Sequence, residues 1–376
     1  MGQYLLLLSE ISNQGFRNLS SDPVSLGEGV TLITGENAQG KTNLLEAAAL
    51  VCGQRSFRGA ALSDMARDHA RFTVAARIQG RGGSDRLEVT WSSEEGRRFQ
   101  RGGKPSGFRD VSSAAPAVFL GPEHKDLLTG SPAVRRRFLD RLVLGLKPAG
   151  GDDLGRYATA LKERNSLLAS ARAGRSAAAG EIEAWTEELC LAGSAVRRHR
   201  NAALAAWGEQ FRELARAAGS GYAAIRVDAT ASDESPEALR ADCQRLLSVE
   251  RRRGYSLAGP HRDDLLFRRE GRPLAAQASA GEIARTVALV KLAEWTALHK
   301  ASGEPPLFGA DDFDAGLSEA WVEEFFDALP AGASVLLTTA APPARWARRA
   351  SAVLEVRAGC VSGPRGLRAV EAAGIR

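Results

Sequence analysis

Cysteine is scarce in this chain: four in 376 residues, Cys52, Cys190, Cys243 and Cys360, with no CxxC pair. Such spacing excludes a zinc ribbon or a disulfide-stapled secreted scaffold and suits a reducing compartment. No apolar run approaches the ~18 residues that a membrane-spanning helix needs. The Leu5–Leu8 run is too short for a signal-peptide core and has no basic segment before it. The expectation is a cytoplasmic chain with no membrane partner. Aromatic residues make up only 6%, which gives no sign of a stacking platform for single strands. The histidines show no metal-ligand spacing, and no GxSxG nucleophile elbow occurs. Lysine is rare as well, seven of the 50 cations, so arginine dominates. That excess fits phosphate recognition. It equally fits a GC-rich coding sequence, since alanine and glycine are also abundant.

What is present is ordinary globular material: 44% apolar and 25% charged residues, with a net charge of +5. The length allows two or three domains. A charge of +5 over such a chain is weak evidence for nucleic acid, so any basic surface must be local. Strand-like runs fill the first stretch, at Tyr4–Ser9, Val30–Thr34, Phe72–Ile78, Arg86–Trp91 and Ala117–Leu120, with turns at Gly80–Gly83 and Arg101–Gly107. From about 131 to 250 the pattern is helical, with one long apolar face over roughly 181–218 and a turn at Ser170–Gly180. Alternation returns afterwards: strand-like Leu265–Arg268, helical Gly281–Lys300, then apolar runs at Leu307–Ala310 and Ser334–Thr338. The expected division is 1–127 and 251–376 as two parts of one α/β domain, with a helical insertion at 128–250.

One motif carries the chemistry. Gly35-Glu36-Asn37-Ala38-Gln39-Gly40-Lys41-Thr42 matches GxxxxGK[ST] at every fixed position and lies between a strand-like run and a helix start at Asn43. In such a loop, backbone N–H groups and a helix N-terminus face phosphates. Lys41 then reaches the β/γ-phosphates, and the Thr42 hydroxyl ligates Mg²⁺. The loop predicts ATP and Mg²⁺ as ligands.

A second magnesium handle is expected at the end of a neighbouring strand, and Leu307-Phe308-Gly309-Ala310-Asp311-Asp312 supplies it. Asp311 is the candidate metal partner and Asp312 the candidate general base for the attacking water. Gly309 sits poorly inside a strand. Asp311 lies 269 residues after Thr42, so the nucleotide domain is split by an insertion. Between the two motifs, Gln277-Ala278-Ser279-Ala280-Gly281-Glu282 opens an amphipathic helix. Ser279 with Glu282 makes a capping box, and a helix N-terminus also suits an anion.

Together these segments resemble the RecF family, within the SMC/Rad50 branch of ABC-type ATPases. Carrying the resemblance are Phe16-Arg17-Asn18-Leu19, the P-loop with Thr42-Asn43, and Arg55-Ser56-Phe57-Arg58. They continue with Gly130-Ser131-Pro132, Arg135-Arg136-Arg137-Phe138-Leu139-Asp140, Gly259-Pro260-His261-Arg262-Asp263-Asp264-Leu265, the Ser279 signature, Asp311-Asp312-Phe313 and Leu337-Thr338-Thr339. The resemblance implies an ABC-type P-loop ATPase domain split by an inserted, mostly helical domain. It implies an ATP-dependent DNA-binding protein of replication, recombination, repair and the SOS response, acting at gaps and single-strand/duplex junctions. RecO, RecR and RecA are its implied partners. ATP would join two subunits head to tail, with Ser279 and Gly281 of one facing the γ-phosphate held by the other, and slow, DNA-stimulated hydrolysis would release them. By the same resemblance Arg17 and Asn18 lie near the nucleotide, and Glu123 falls where related ATPases carry a glutamine sensing metal and γ-phosphate.

Two departures from the family pattern stand out. The signature reads Ala278-Ser279-Ala280-Gly281-Glu282 where Leu-Ser-x-Gly-Gln is usual, and Ala315-Gly316-Leu317-Ser318 replaces Ser-Glu-Leu-Asp. Both bear on hydrolysis more than on ATP binding. Arg55, Arg58, Arg135, Arg136 and Arg137 are candidate contacts to DNA phosphates, and backbone-directed duplex binding is the expected mode. The His261-Arg262-Asp263 triplet imitates a kinase catalytic loop but lacks the asparagine five positions on. A transporter ATPase subunit and a small-molecule P-loop kinase are the rival readings of the loop.

Overall fold

The computed structural model describes residues 6–80, 83–174, 179–230, 233–315, 319–329 and 333–363. It divides into two compact units, one joining the chain up to His124 with that from Ala280, the other Lys125–Ser279. Residues 251–279, expected with the ATPase domain, therefore belong to the second unit. The reason is strand pairing: β10 (Leu265–Arg269) runs antiparallel to β9 (Ile225–Ala229), with Phe267 opposite Val227.

Two sheets build the first unit. The parallel one has the order β15-β14-β3-β13-β12-β8, from β3 (Val30–Thr34), β8 (Ala117–Leu120), β12 (Leu307–Ala310), β13 (Val335–Thr339) and β14 (Ala352–Arg357), with β15 (Cys360–Ser362) antiparallel at its edge. Every residue of β12 and β13 is buried, as expected for parallel strands covered on both faces. The other sheet is antiparallel, in the order β2-β1-β4-β5-β6-β7: β1 (Leu7–Gln14), β2 (Val24–Ser25), β4 (Arg71–Gly80), β5 (Gly83–Ser92), β6 (Gly96–Arg101) and β7 (Lys104–Ser106). The expected turn at Arg101–Gly107 is a hairpin whose two-residue loop, Gly102-Gly103, has both φ values positive. Half of the expected turn at Gly80–Gly83 lies outside the described residues.

Helix α1 (Lys41–Val51) packs against strands of both sheets, which is why its interior reads Leu-Leu-Glu-Ala-Ala-Ala-Leu-Val with no polar face. Among the described residues the unit's further α-helices are α2 (Phe108–Ala114), α9 (Ala280–Ser302), α10 (Glu319–Ala328) and α11 (Ala344–Arg349). Gly309 is explained here. A Cβ on it would lie 2.4 Å from the Phe119 ring and 2.9 Å from Leu45 Cδ1, so only glycine lets α1 and β8 close over β12.

The second unit holds α3 (Asp126–Thr129), α4 (Pro132–Leu146), α5 (Gly150–Arg172), α6 (Ala179–Ala217), α7 (Ser220–Ala223), α8 (Pro236–Arg253) and a sheet of β9, β10 and β11 (Arg272–Pro273). The 39-residue α6 matches the long apolar face seen in the sequence. Residues 175–178 of the expected turn lie outside the described residues. Trp207 and Phe211 of α6 stack at 5.0 Å and meet Phe138 and Phe267, tying α4, α6 and β10 into one core.

Candidate nucleotide site

The loop from Gly35 to Gly40 leaves the end of β3 and enters α1, and its glycines are set by close backbone approach. A Cβ on Gly35, at φ +144°, would stand 2.4 Å from the Val356 carbonyl oxygen. Gly40, at φ +120°, faces a side chain instead, with Asn18 Oδ1 at 2.9 Å from where a Cβ would stand. Ala38 also has positive φ, while Glu36, Asn37 and Ala38 are exposed on the loop crest. Lys41 is buried and arches back, its Nζ donating to the carbonyls of Gly35 at 2.6 Å and Glu36 at 3.0 Å.

Asp311, at the end of β12, comes directly to the loop. The Thr42 hydroxyl donates to its carboxylate at 2.9 and 3.0 Å, and the Thr338 hydroxyl of β13 donates at 2.7 Å. Thr338 Oγ1 also accepts the Asp312 N–H at 2.8 Å, holding Asp312 at φ +43°. Burial pushes the Asp311 carboxyl above the usual carboxylate range. The two hydroxyls oppose this, while the charges of Asp312 and Glu123 add to it. Glu123 reaches this point because β8 pairs with β12 and Leu120 accepts the Asp311 N–H at 2.8 Å. A hydroxyl and a carboxylate oxygen this close form a hard-oxygen donor set that fits Mg²⁺.

The opposite wall comes from the Phe16-Arg17-Asn18-Leu19 turn. Asn18 Nδ2 donates to the Gln39 carbonyl at 3.2 Å, and Asn43 Nδ2 donates to Asn18 Oδ1 at 2.8 Å. Arg58 Nη1 closes the chain on Asn43 Oδ1 at 3.3 Å. Asn18, Asn43 and Arg58, with Arg17, Lys41 and Thr42, line a cavity of about 820 Å³, a size that suits a small organic ligand. Arg17 itself is held by Glu46, at 3.0 Å through Nε and 2.9 Å through Nη2. Sequence reading missed Glu46. It is fully buried in α1 and also accepts from the Ser56 hydroxyl. The signal was there, since a lone carboxylate in an otherwise apolar helix must have partners.

Other candidates lie elsewhere. Arg55 is exposed on the first unit and is not among the residues lining the cavity. Ser279 is the exposed residue just before α9, and Gly281 lies in its first turn. Gly316–Ser318 fall outside the described residues. In the second unit Arg135 is a correction: its guanidinium is committed to Asp264 at 2.7 and 3.0 Å and to the Gly130 carbonyl, at 8% exposure, so it is no free phosphate contact. Arg136 donates to the Asp263 carbonyl, and Arg137 is exposed.

Comparison with known proteins agrees with this geometry. A family model described as an AAA domain matches residues 10–129. The DNA replication and repair protein RecF of Heliobacterium modesticaldum is 34% identical over 313 residues, covering 79% of this chain and 82% of its own. That of Clavibacter michiganensis is 33% identical over 388 residues, covering 94% and 95%. Among solved structures, the recombination mediator RecF-ATP of the RecFOR pathway shares the fold at a TM-score of 0.87 and 23% identity, covering 96% of this chain and 98% of its own. The Smc head domain of Pyrococcus furiosus shares it at 0.56 and 16%, covering 98% of each. The fold is that of an ABC-type ATPase head, and the chain belongs to the RecF family of DNA replication and repair proteins.

Proposed function

We propose that this chain is an ATP-dependent DNA-binding protein of recombinational repair, active in the cytoplasm and working with RecO and RecR to place RecA at gaps and single-strand/duplex junctions. The observation that carries the reading is the closure of Thr42 on Asp311, with Thr338 beneath both acids. It puts a hydroxyl, a carboxylate and a candidate base at one end of the phosphate loop.

In this reading the loop N–H groups and Lys41 bind the β- and γ-phosphates, with Asn43, Arg17 and Asn18 on the neighbouring wall. Thr42 and Asp311 hold Mg²⁺, which supplies charge neutralisation on the phosphate oxygens. Asp312 orients the attacking water and accepts its proton. Thr338 fixes both aspartates through one hydroxyl. Ser279 and Gly281 of one subunit close over the γ-phosphate bound by a second copy, so ATP joins two subunits and slow hydrolysis separates them.

Light scattering with and without ATP is the test. ATP should double the particle mass of the natural protein and leave Ser279→Arg unchanged, while Lys41→Arg should bind ATP but hydrolyse it poorly. An unaltered ATP response in Ser279→Arg overturns the intersubunit role. An ATPase rate indifferent to gapped DNA at every salt concentration overturns the DNA-coupled reading.

A further inference from the structure

The second unit contains a buried polar network with no part in nucleotide chemistry. Arg164 and Glu250 are both fully buried and paired at 2.7 Å. Glu250 Oε1 also accepts the Leu257 N–H at 2.6 Å, and Arg164 Nη1 donates to Ser256 Oγ at 2.7 Å. Asn165 Oδ1 accepts the Ser256 N–H at 2.7 Å, and His261 Nε2 donates to the Ser256 carbonyl at 3.1 Å. A buried ion pair is costly and often no more stable than an apolar replacement. What this one achieves is to lock a loop, 254–262, that leaves the end of α8 through Gly254 in the left-handed conformation, at φ +79°.

The locked loop presents Tyr255, 41% exposed and one of only three large apolar side chains exposed among the described residues. Arg262, itself exposed, lies over the Tyr255 ring at 5.5 Å and is steadied by the Ser256 carbonyl. Further cations flank the loop in the chain or touch its start. Arg251, Arg252 and Arg253 form the last turn of α8, and the Arg172 side chain lies against Gly254. Burial first, then the like charges of Arg200 and Arg262, hold the Arg136 guanidinium below its usual range, against the opposing carboxylates of Asp264 and Asp140. The acids nearest by sequence are committed elsewhere: Glu250 to Arg164, Asp263 to Arg197 and Asp264 to Arg135. Basic residues at a helix C-terminus also complement its dipole. That accounts for cations on the last turn of α8, but not for Arg262 over an exposed ring or Arg172 against Gly254.

We infer that this surface is a contact for single-stranded nucleic acid, with Tyr255 stacking an unpaired base on a platform backed by Arg262 and the surrounding arginines taking the flanking phosphates. It rests on the DNA-binding reading above and deepens it, since that reading names no residue that would hold the single strand of a junction. A rigid loop under an aromatic ring is what stacking needs, because little order is then lost on binding. An acidic protein segment would use the cations but leave the ring without a role.

The experiment is fluorescence anisotropy on the full-length protein with labelled oligo-dT and a blunt duplex of equal length, over a salt series. Tyr255→Ala should bind oligo-dT about tenfold more weakly and the duplex almost unchanged, at an unaltered melting temperature because the side chain is exposed. Replacing Arg251, Arg252 and Arg253 together by Gln should flatten the log-log salt dependence by about 0.7 for each phosphate left without its arginine. Should that triple variant misfold, Arg262→Gln serves in its place. Natural affinity in both variants overturns the surface assignment, and equal losses for oligo-dT and duplex in Tyr255→Ala overturn the stacking. Competition by polyglutamate as strong as by unlabelled oligo-dT would assign the surface to an acidic protein instead. If the natural protein binds neither DNA, the DNA-binding function proposed above falls; if it binds and the variants match it, only this surface does.

Discussion

Among the described residues each unit buries one carboxylate completely against an arginine, and the two pairs do different work. In the first unit Glu46 holds Arg17, which keeps 16% of its side chain exposed and lines the 820 Å³ cavity. In the second, Glu250 holds Arg164, and both side chains are at 0%. The first pair sets an arginine in the cavity wall; the second anchors the loop after α8 through the Ser256 hydroxyl and the Leu257 N–H. An ion pair that still touches solvent keeps part of its hydration, whereas a fully buried one depends entirely on its partner and hydrogen bonds. Where one partner remains partly exposed, breaking the pair should harm function more than folding, and where none does, the reverse.

The largest expected effect follows from that contrast. Glu250→Ala leaves Arg164 charged and unpaired in the interior, which should cost about 3–5 kcal/mol in urea unfolding. The double change Arg164→Met with Glu250→Leu should recover most of this loss while freeing the loop at Tyr255. A loss below about 1 kcal/mol in Glu250→Ala would mean that water reaches Arg164. Glu46→Gln is the matching test in the first unit. It keeps the shape but leaves Arg17 without its counter-charge, so ATP affinity, read by isothermal calorimetry, should drop about tenfold, within the usual worth of a charged hydrogen bond. An unfolding free energy that falls as far as in Glu250→Ala would erase the distinction between the two pairs.

Between these stands Thr338, whose hydroxyl serves Asp311 and Asp312 at once. Thr338→Val preserves the volume and removes both bonds. On the proposed mechanism kcat for ATP should fall about ten- to a hundredfold with nucleotide affinity nearly kept. Equal losses in both would place Thr338 in binding rather than in orienting the acids.

The contrast also explains what could be read from sequence. The phosphate loop was legible because its constraint is local: eight consecutive residues carry it, and the flanking strand and helix are periodic. Asp311 was legible as an acid after an apolar run, and the long α6 as a sustained apolar stripe. Gly309 looked like a flaw in a strand until Phe119 and Leu45 were seen to need its space. β9 was missed because five residues inside a helical stretch give no alternation strong enough to read, and its partner β10 lies some 40 positions on. Arg135 was misread for a related reason. Three consecutive arginines look like one basic patch, yet on a helix they point about 100° apart, and only tertiary packing brings Asp264 to the first of them. The kinase-like triplet at His261 was rightly set aside, but its actual task could not be guessed: each of its residues faces a different element.

That triplet supplies the smallest and most selective test. His261 Nε2 faces a carbonyl, so it carries the proton and Nδ1 accepts the Tyr157 hydroxyl at 2.6 Å. This is the neutral tautomer. Burial holds His261 below the ordinary imidazole range; the bond to the Ser256 carbonyl opposes this, the positive charges of Arg262 and Arg136 add to it, and Asp263 opposes it weakly. Because the folded value is lowered, the unfolded chain takes up the proton first as pH falls. The stabilisation is therefore whole above about pH 6.5, the free imidazole value, and is lost progressively as pH drops from there toward the folded value. Replacing His261 by Gln should lower stability at pH 7.5 through lost hydrogen bonds yet flatten its decline between pH 6.5 and 5. Parallel curves for the natural protein and the variant over that interval would show that His261 takes up its proton as readily in the folded chain as in the unfolded one, so that the bond from Tyr157 does not hold Nδ1 bare.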